Sequence, residues 1–451
     1  MKPIRVMKFG GTSVATPESR LLAARKVVDA VERGYAPVVV VSAIGRKGEP
    51  YATDTLLSLL TDVDPLVDYD LREMDLMLCC GEIMSTCIFA QTLKSLGQPA
   101  SAMTGGQAGL ITDDAHGNAR ITEVRPHDVL RVVEQGRVPV VCGFQGRSEA
   151  KNGAIYGEIT TLGRGGSDTT ASALGAALKA ESIEIYTDVD GVKTADPSIV
   201  GSAPTLGKMT YDEVAEIAHQ GAKVLHPRAA QIALKYKIPL WVKSTFTEES
   251  GTEIVSDQEF PGRRVTGVTH TGKLVYLHIE VESETEKRVI EHQVYRLMAE
   301  NKVNLFMVNT HESSFAFAVP RKQLAKVKEI LDGLVIPVVE DGRVLKTFLV
   351  QVGRAKSMET TAQEQMLAGL GPIEKCQVDL TENCTIVSLI AQEFLQQPGI
   401  FRRVVEALNR GAIKMIQTSD SLLSVSVLVP ESDAERAVSL LHVEFELSGE
   451  K

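Results

Sequence analysis

Four consecutive valines at residues 38–41, directly behind Pro37, constrain this chain more than any other feature. A β-branched run without polar alternation leaves no solvent face, so it reads as a strand covered on both sides in a parallel sheet. Parallel strands need crossover connections, and the neighbouring sequence supplies them. Residues 4–9 begin as a strand and meet Gly10 and Gly11, after which Leu21, Leu22, Val27, Val28 and Val31 recur at helical spacing. Further strands are predicted at residues 138–142, 182–186 and 239–243, with helices centred on 85–96, 169–180, 211–219 and 226–236. This alternation predicts a layered α/β domain over residues 1–245.

After the stretch SGTEIV (250–255) the pattern changes. Residues 274–281 alternate as a strand and 286–300 read as a helix. Strands at 304–310 and 314–319, a helix near 321–332 and a strand at 335–339 complete β-α-β-β-α-β, a ferredoxin-like unit. The order returns with a strand at 385–390, a helix at 400–409, strands at 413–418 and 422–429 and a helix at 434–441, but without a last strand. The strand-like residues 264–269 have no role in the first copy and are expected to complete the second. The predicted organisation is therefore a large domain (1–245), a linker (246–263), a second module (264–269 with 380–451), a first module inserted within it (270–345) and a connecting segment (346–379). Two small modules side by side expose sheet edges and apolar faces, which favours a homodimer or higher homo-oligomer. A regulatory small-molecule site between modules and oligomerisation alone both remain open at this point.

At 451 residues the chain exceeds one ordinary core. Its formal charge of -10 and lack of a basic cluster argue against nucleic acid and anionic membrane as partners. No apolar stretch is expected to reach the length of a membrane span. The first residues run into a strand without a signal-peptide pattern, so a cytoplasmic location is expected. Cys79, Cys80, Cys87, Cys142, Cys376 and Cys384 match neither a zinc ribbon nor a disulfide framework, and are read as reduced and mostly buried. No metal held by protein ligands is expected.

The chemistry is concentrated in TTLGRGGSDTT, residues 160–170. Gly163, Gly165 and Gly166 allow a sharp turn and close backbone approach to a ligand. N–H groups of the turn and the following helix can converge on an anion, and Arg164 adds a planar fork for carboxylate or phosphate. Lys8, at the end of the first strand beside Gly10 and Gly11, suits a transferring phosphate as a point charge; a solvated lysine at a sheet end is the plain alternative. Asp168 is read as organising Lys8 or the glycine turn, with a helix cap from Ser167 or Asp168 compatible with that role. Glu82, taken alone, reads as a first-turn residue at a helix start. In the run Tyr-Thr-Asp-Val-Asp-Gly (186–191), the aspartates lack the ligand ladder of a calcium loop and fit polar contacts to a nucleotide or Asx turns. Lys223 could reach outer phosphates, and His226 reads as a hydrogen-bonded structural histidine.

Together these residues resemble the aspartate kinases of the amino acid kinase superfamily. The resemblance rests on KFGGTSV (8–14), VVVVSAIG (38–45), GE (81–82), TTLGRGGSDTTA (160–171), YTDVDGVKTADP (186–197), GAKVLHPRA (221–229) and SGTEIV (250–255), and it extends over the whole chain. It implies an amino-acid-kinase (carbamate-kinase-like) α/β domain followed by two ferredoxin-like ACT domains. It also implies ATP-dependent phosphorylation of the L-aspartate side chain to 4-phospho-L-aspartate, with Mg²⁺ bridging phosphates, as the first step toward lysine, threonine and methionine.

By the same resemblance, Lys8, Gly10 and Gly11 hold ATP phosphates, and Thr187, Asp188 and Lys223 serve the nucleotide side. Ser42, Thr53, Glu82 and Arg164 meet aspartate, with Glu82 receiving its ammonium and Arg164 a carboxylate. Asp168 organises the transfer centre. The segment at residues 42–54 is longer than the family's common form and resembles the diaminopimelate-sensitive type. The first module replaces the usual Pro-Gly effector loop with residues 282–287, so an effector (diaminopimelate, lysine or threonine) is expected at the second, around Gln397, Gly399, Ile400, Gln417 and Thr418. The competing readings are a related kinase acting on glutamate and a non-catalytic amino-acid sensor.

Overall fold

The computed structural model describes residues 2–64, 69–149, 157–221, 225–256, 265–340, 343–353, 372–391 and 397–449. These form two compact units, one of residues 1–267 with 447–451 and one of residues 268–446.

The first unit is built on an eight-stranded sheet. Its order is Lys208–Thr210, Thr252–Val255, Leu240–Ser244, Ser182–Thr187, Ile4–Phe9, Ala36–Val41, Val138–Cys142 and Ala100–Met103. The strands from Leu240–Ser244 onward run parallel, whereas Thr252–Val255 turns back antiparallel. Val38, Val39, Val40 and Val41 are all fully buried, as a central strand requires. Side chains alternate across the sheet. Met7 and Phe9 join the core under helices Pro17–Glu32 and Leu71–Ser95, with Val27, Phe89 and Leu93. Val6 faces the other way, where Gly175 of helix Gly166–Leu178 packs closely on Ile183. Lys8 shares the side of Val6, and this parity places its ammonium under that helix.

A second, four-stranded sheet has the order Ile121–Val124, Leu110–Thr112, Gln145–Ser148, Ile159–Thr161. Sequence periodicity did not reveal it because strands of three or four residues are too short to show alternation.

Helix Leu71–Ser95 corrects two expectations. By length and composition it could cross a membrane, with a mean hydropathy of 1.5 over an 18-residue window. No stretch of that kind was anticipated. Half of the window is buried, and Met74, Leu78, Phe89 and Leu93 belong to the domain's apolar clusters. The helix starts at its cap Asp70, so Glu82 stands near its middle and not in a first turn. Continuous apolar periodicity on both sides of Gly81 carries the helix through a glycine that looked like a boundary.

The second unit is also organised by one sheet. Its order is Phe306–Thr310, Ser314–Pro320, Gly267–Glu280, Ile373–Ile390, Arg343–Val352, Val335–Glu340, and Ser424–Pro430 pairs with both Ile373–Ile390 and Gln417–Asp420. The first copy has the expected order, with helices Glu284–Glu300 and Leu324–Leu331 between strands. In the second, helices Ile400–Arg410 and Ala434–Glu444 alternate with strands, and no strand follows the last helix among the described residues.

The boundaries at 245, 345 and 380 need correction: strand Thr252–Val255 of the supposed linker is part of the first unit's sheet, and 345 and 380 fall inside strands. Phe348, Val350, Cys376 and Val378 fill the core of the first copy together with Val275, Leu277 and Ile290, so the ends of the supposed connecting segment are core strands. Of residues 264–269, residue 264 lies outside the described residues, and strand Gly267–Glu280 neighbours Ile373–Ile390 on one side and Ser314–Pro320 on the other.

Candidate functional site

The first strand leads directly into the double glycine. Gly10 N–H donates to Tyr186 O at 3.2 Å, and Gly11 O accepts from Gly45 N–H at 3.0 Å. A β-carbon at Gly11 would lie 2.5 Å from Gly45 O and 2.9 Å from Ala43 O, so no other residue permits this approach. Two segments therefore flank the turn: residues 42–45, following the valine strand, and the end of strand Ser182–Thr187 with Asp188. Ser42, half-buried, is fixed by its N–H to Phe9 O at 3.1 Å.

Lys8 Nζ stands 2.7 Å from Asp168 Oδ1, and each side chain is only 12% exposed. Asp168 occupies the first turn of helix Gly166–Leu178, whose N-cap is Gly165 with a left-handed φ of 68° and no side-chain cap hydrogen bond. The expected cap from Ser167 or Asp168 is thus absent, and Asp168 is directed to Lys8. A side chain at Gly165 would collide with the His226 ring, and Gly163 also has positive φ, at 72°. His226 is the N-cap of helix Pro227–Tyr236, its Nδ1 accepting from Arg228 N–H at 3.3 Å. Burial lowers its pKa below the usual histidine range, which suits a neutral structural acceptor. Arg164 is exposed at the tip of the turn and has no partner among the described residues.

Glu82 is 2% exposed. Its Oε1 accepts from Ala43 N–H at 3.1 Å, while Oε2 is buried without a hydrogen-bond partner. Burial pushes its pKa up to about 8, against the opposing pull of backbone N–H donors. A buried carboxylate oxygen with no donor is costly unless a ligand supplies one. Thr53 is the first residue of helix Thr53–Thr61 and half-buried. This helix and the residues before it pack on Leu71–Ser95 through Leu56 and Tyr51 O, which approach Gly81.

The fold thus gathers Lys8, Gly10, Gly11, Ser42, Glu82 and Asp168 around one sheet end. Thr187 and Asp188 adjoin them, with Thr187 Oγ1 donating to Asp188 Oδ1 at 3.1 Å. Lys223 lies outside the described residues. In the second unit, Gly399 caps helix Ile400–Arg410 with φ 99°, and Ile400 N–H reaches Gln397 O at 3.5 Å. Gln417 and Thr418 lie on strand Gln417–Asp420, where Gln417 Oε1 accepts from the Tyr276 hydroxyl at 3.4 Å.

Two participants escaped the sequence reading. Asp75, fully buried, accepts from Thr161 N–H at 3.0 Å, from the Thr161 hydroxyl and from Gly117 N–H at 3.1 Å, with His116 Nδ1 at 2.8 Å. It lies on the same helix face as Glu82, seven residues earlier, and so ties that helix to the strand leading into the Arg164 turn. Arg46 pairs with Asp188 across the two segments. Neither residue belongs to a motif; the one available signal for Asp75 is a carboxylate inside an apolar helical pattern. Among the described residues no group of three His, Cys, Asp or Glu could hold a metal ion.

Comparison with known proteins follows the same division. Residues 3–244 match the amino acid kinase family and residues 387–445 match the ACT domain. The chain is 37% identical over 451 residues to Aspartokinase 1 of Bacillus subtilis (strain 168), covering 99% of each. It is 35% identical to an aspartokinase of Mycolicibacterium smegmatis, covering 99% of this chain and 96% of that protein. Among solved structures it resembles E. coli aspartokinase III in complex with aspartate and ADP (R-state) in fold, with TM-score 0.70, 24% identity and 98% and 100% of the two chains covered. It also resembles aspartate kinase from Synechocystis, with TM-score 0.60, 25% identity and 99% of each chain covered.

Proposed function

The chain belongs to the aspartokinases of the amino acid kinase family, and from that premise we infer that it transfers the terminal phosphoryl group of ATP to the side-chain carboxylate of L-aspartate, giving 4-phospho-L-aspartate and ADP. This is the entry reaction toward lysine, threonine, methionine and diaminopimelate. The observation that carries the reading is the pairing of Lys8 with Asp168 beside the double glycine, close to a buried Glu82 whose Oε2 lacks a donor.

The attacking carboxylate is ionised at neutral pH, so the protein needs no general base. Its task is alignment and charge neutralisation. Lys8 carries a positive charge to the phosphoryl group in transit, and Asp168 holds that ammonium in place. The Gly10–Gly11 backbone leaves room for phosphate oxygens. Glu82 Oε2 accepts from the substrate ammonium, Arg164 takes a carboxylate, and Ser42 and Thr53 complete the aspartate side. Thr187, Asp188 and Lys223 serve the nucleotide side. Mg²⁺ would come with the nucleotide phosphates and would neutralise their oxygens.

The paired modules provide feedback control by an end-product amino acid, with Gln397, Gly399, Ile400, Gln417 and Thr418 as the candidate contacts. Of residues 264–269, those up to 267 belong to the first unit, and only 268 and 269, in strand Gly267–Glu280 beside Ile373–Ile390, support a contribution to the second module around an inserted first. Exposed Phe306 and Val308 on an outer strand support self-association.

Coupled ADP release with aspartate or glutamate, and hydroxylamine trapping of the acyl phosphate, test the assignment. Turnover with aspartate and a trapped hydroxamate are expected; turnover with glutamate alone would overturn it. Adding diaminopimelate, lysine and threonine singly tests control, and a flat inhibition profile would reject the regulatory role.

A further inference from the structure

Arg46 belongs to none of the roles above, yet its position is defined. It sits in the loop between the valine strand and helix Thr53–Thr61, and its guanidinium pairs with Asp188. Each partner is anchored one or two residues away to a different glycine of the same turn: Gly45 N–H to Gly11 O at 3.0 Å, and Gly10 N–H to Tyr186 O at 3.2 Å. The ion pair consequently spans the Gly10–Gly11 turn. Lys8 Nζ lies beneath, 3.6 Å from the point where a β-carbon of Gly10 would stand.

The backbone around Arg46 is constrained while its head group is not. Arg46 N–H donates to Glu49 Oε2 at 3.1 Å, and Gly45 and Gly48 take left-handed φ values of 85° and 96°. The side chains of Arg46 and Asp188 are 67% and 38% exposed. An ion pair this open contributes little to stability, so folding does not account for it. A guanidinium fork matches phosphate oxygens in geometry, and a phosphate with more than one negative charge competes well against a single solvated carboxylate.

Resting on the kinase reading, we propose that Arg46 is a second cation of the phosphate site. It exchanges Asp188 for oxygens of the outer phosphates of the nucleotide and draws residues 45–49 over the double-glycine turn. Lys8 then contacts the transferring group from the sheet side and Arg46 from the solvent side.

The test is calorimetric binding of ATP, ADP and AMP to the full chain as wild type, Arg46→Gln and Arg46→Lys, with steady-state kinetics alongside. Arg46→Gln is expected to weaken ATP by roughly 10- to 100-fold, in line with loss of a hydrogen-bonded charge. ADP should weaken less and AMP not at all, and Arg46→Lys should recover part of the loss. Unchanged ATP affinity in Arg46→Gln, or equal loss for ATP and AMP, overturns the proposal. Wild-type turnover with aspartate separates the two levels. If it is present while Arg46→Gln matches wild type, only the role of Arg46 fails; if it is absent, the kinase reading fails and takes this inference with it.

Discussion

Lys8 Nζ and Asp168 Oδ1 lie 2.7 Å apart, joining the first strand to the first turn of helix Gly166–Leu178. The contact follows from parity in the strand: Lys8 faces the helix side, whereas Met7 and Phe9 face the core beneath Pro17–Glu32. Because both groups are largely shielded from water, each depends on the other for its placement.

Lys8→Ala should lower kcat by about 10²–10³-fold, as removal of a charge that stabilises a transferring group does elsewhere. Asp168→Asn should lower kcat with a smaller change in the KM for aspartate. Steady-state kinetics of both variants with a melting curve for each provide the check. Full turnover by Lys8→Ala would remove Lys8 from the mechanism.

Glu82 should give the enzyme a pH-dependent affinity for aspartate. With its pKa pushed up to about 8 by burial, the carboxyl is mostly protonated at neutral pH and forms a charged pair with the substrate ammonium only after giving up that proton. kcat/KM for aspartate should therefore rise with pH up to about 8 and then level off, and the slope should vanish in Glu82→Gln.

Stability runs the other way. The folded pKa is raised above the ordinary 4.5, so the associated stability is fully present below about 4.5 and is lost as pH rises through about 8. Glu82→Gln should then melt higher than wild type at pH 8.5 and no higher at pH 4, the pH values being chosen on about either side of that window. Thermal unfolding at both values is the measurement.

Asp75→Ala would leave the buried N–H of Thr161 and the half-buried N–H of Gly117 without their acceptor. A loss of roughly 2–4 kcal/mol is expected, since a fully buried orphaned donor costs about 1–3 kcal/mol and a half-buried one less. Asp75→Asn should retain much of the stability but raise the KM for aspartate, because the strand it fixes leads into the Arg164 turn. In an Arg164→Ala background that effect on KM should disappear; persistence would show that Asp75 does not act through Arg164.

Gly165→Ala should be severe for two reasons that act together. The residue has a φ of 68°, and a β-carbon would meet the His226 ring. Loss of at least about 1–3 kcal/mol of stability and of most activity is expected, measurable by denaturation and by the coupled assay. Gly207→Ala, where a β-carbon meets open space, is the control and should behave as wild type.

Much of this protein is legible in its sequence. The valine run gave a central strand because four β-branched side chains in succession fit nothing else as well. The glycines of the 163–166 turn announced a backbone that other residues cannot follow, and the repeated β-α-β-β-α-β order announced two related modules. These signals are local, carried by residue type and spacing within one element.

What escaped depends on contacts between distant segments. Glu82 read as a cap until helix Leu71–Ser95 ran through Gly81 and sealed its carboxyl against Ala43 N–H. The strands of the four-stranded sheet are stabilised by neighbours and not by their own pattern, and the boundaries at 345 and 380 dissolved because strands continue across them to fill a shared core. Residue types and spacing by themselves pointed to an anionic ligand at the glycine turns and to the α/β domain followed by two modules. Only the tertiary structure decided that Asp168 faces Lys8, that Asp75 braces the Arg164 turn and that Arg46 bridges to Asp188, because burial and pairing arise between segments that no local pattern relates.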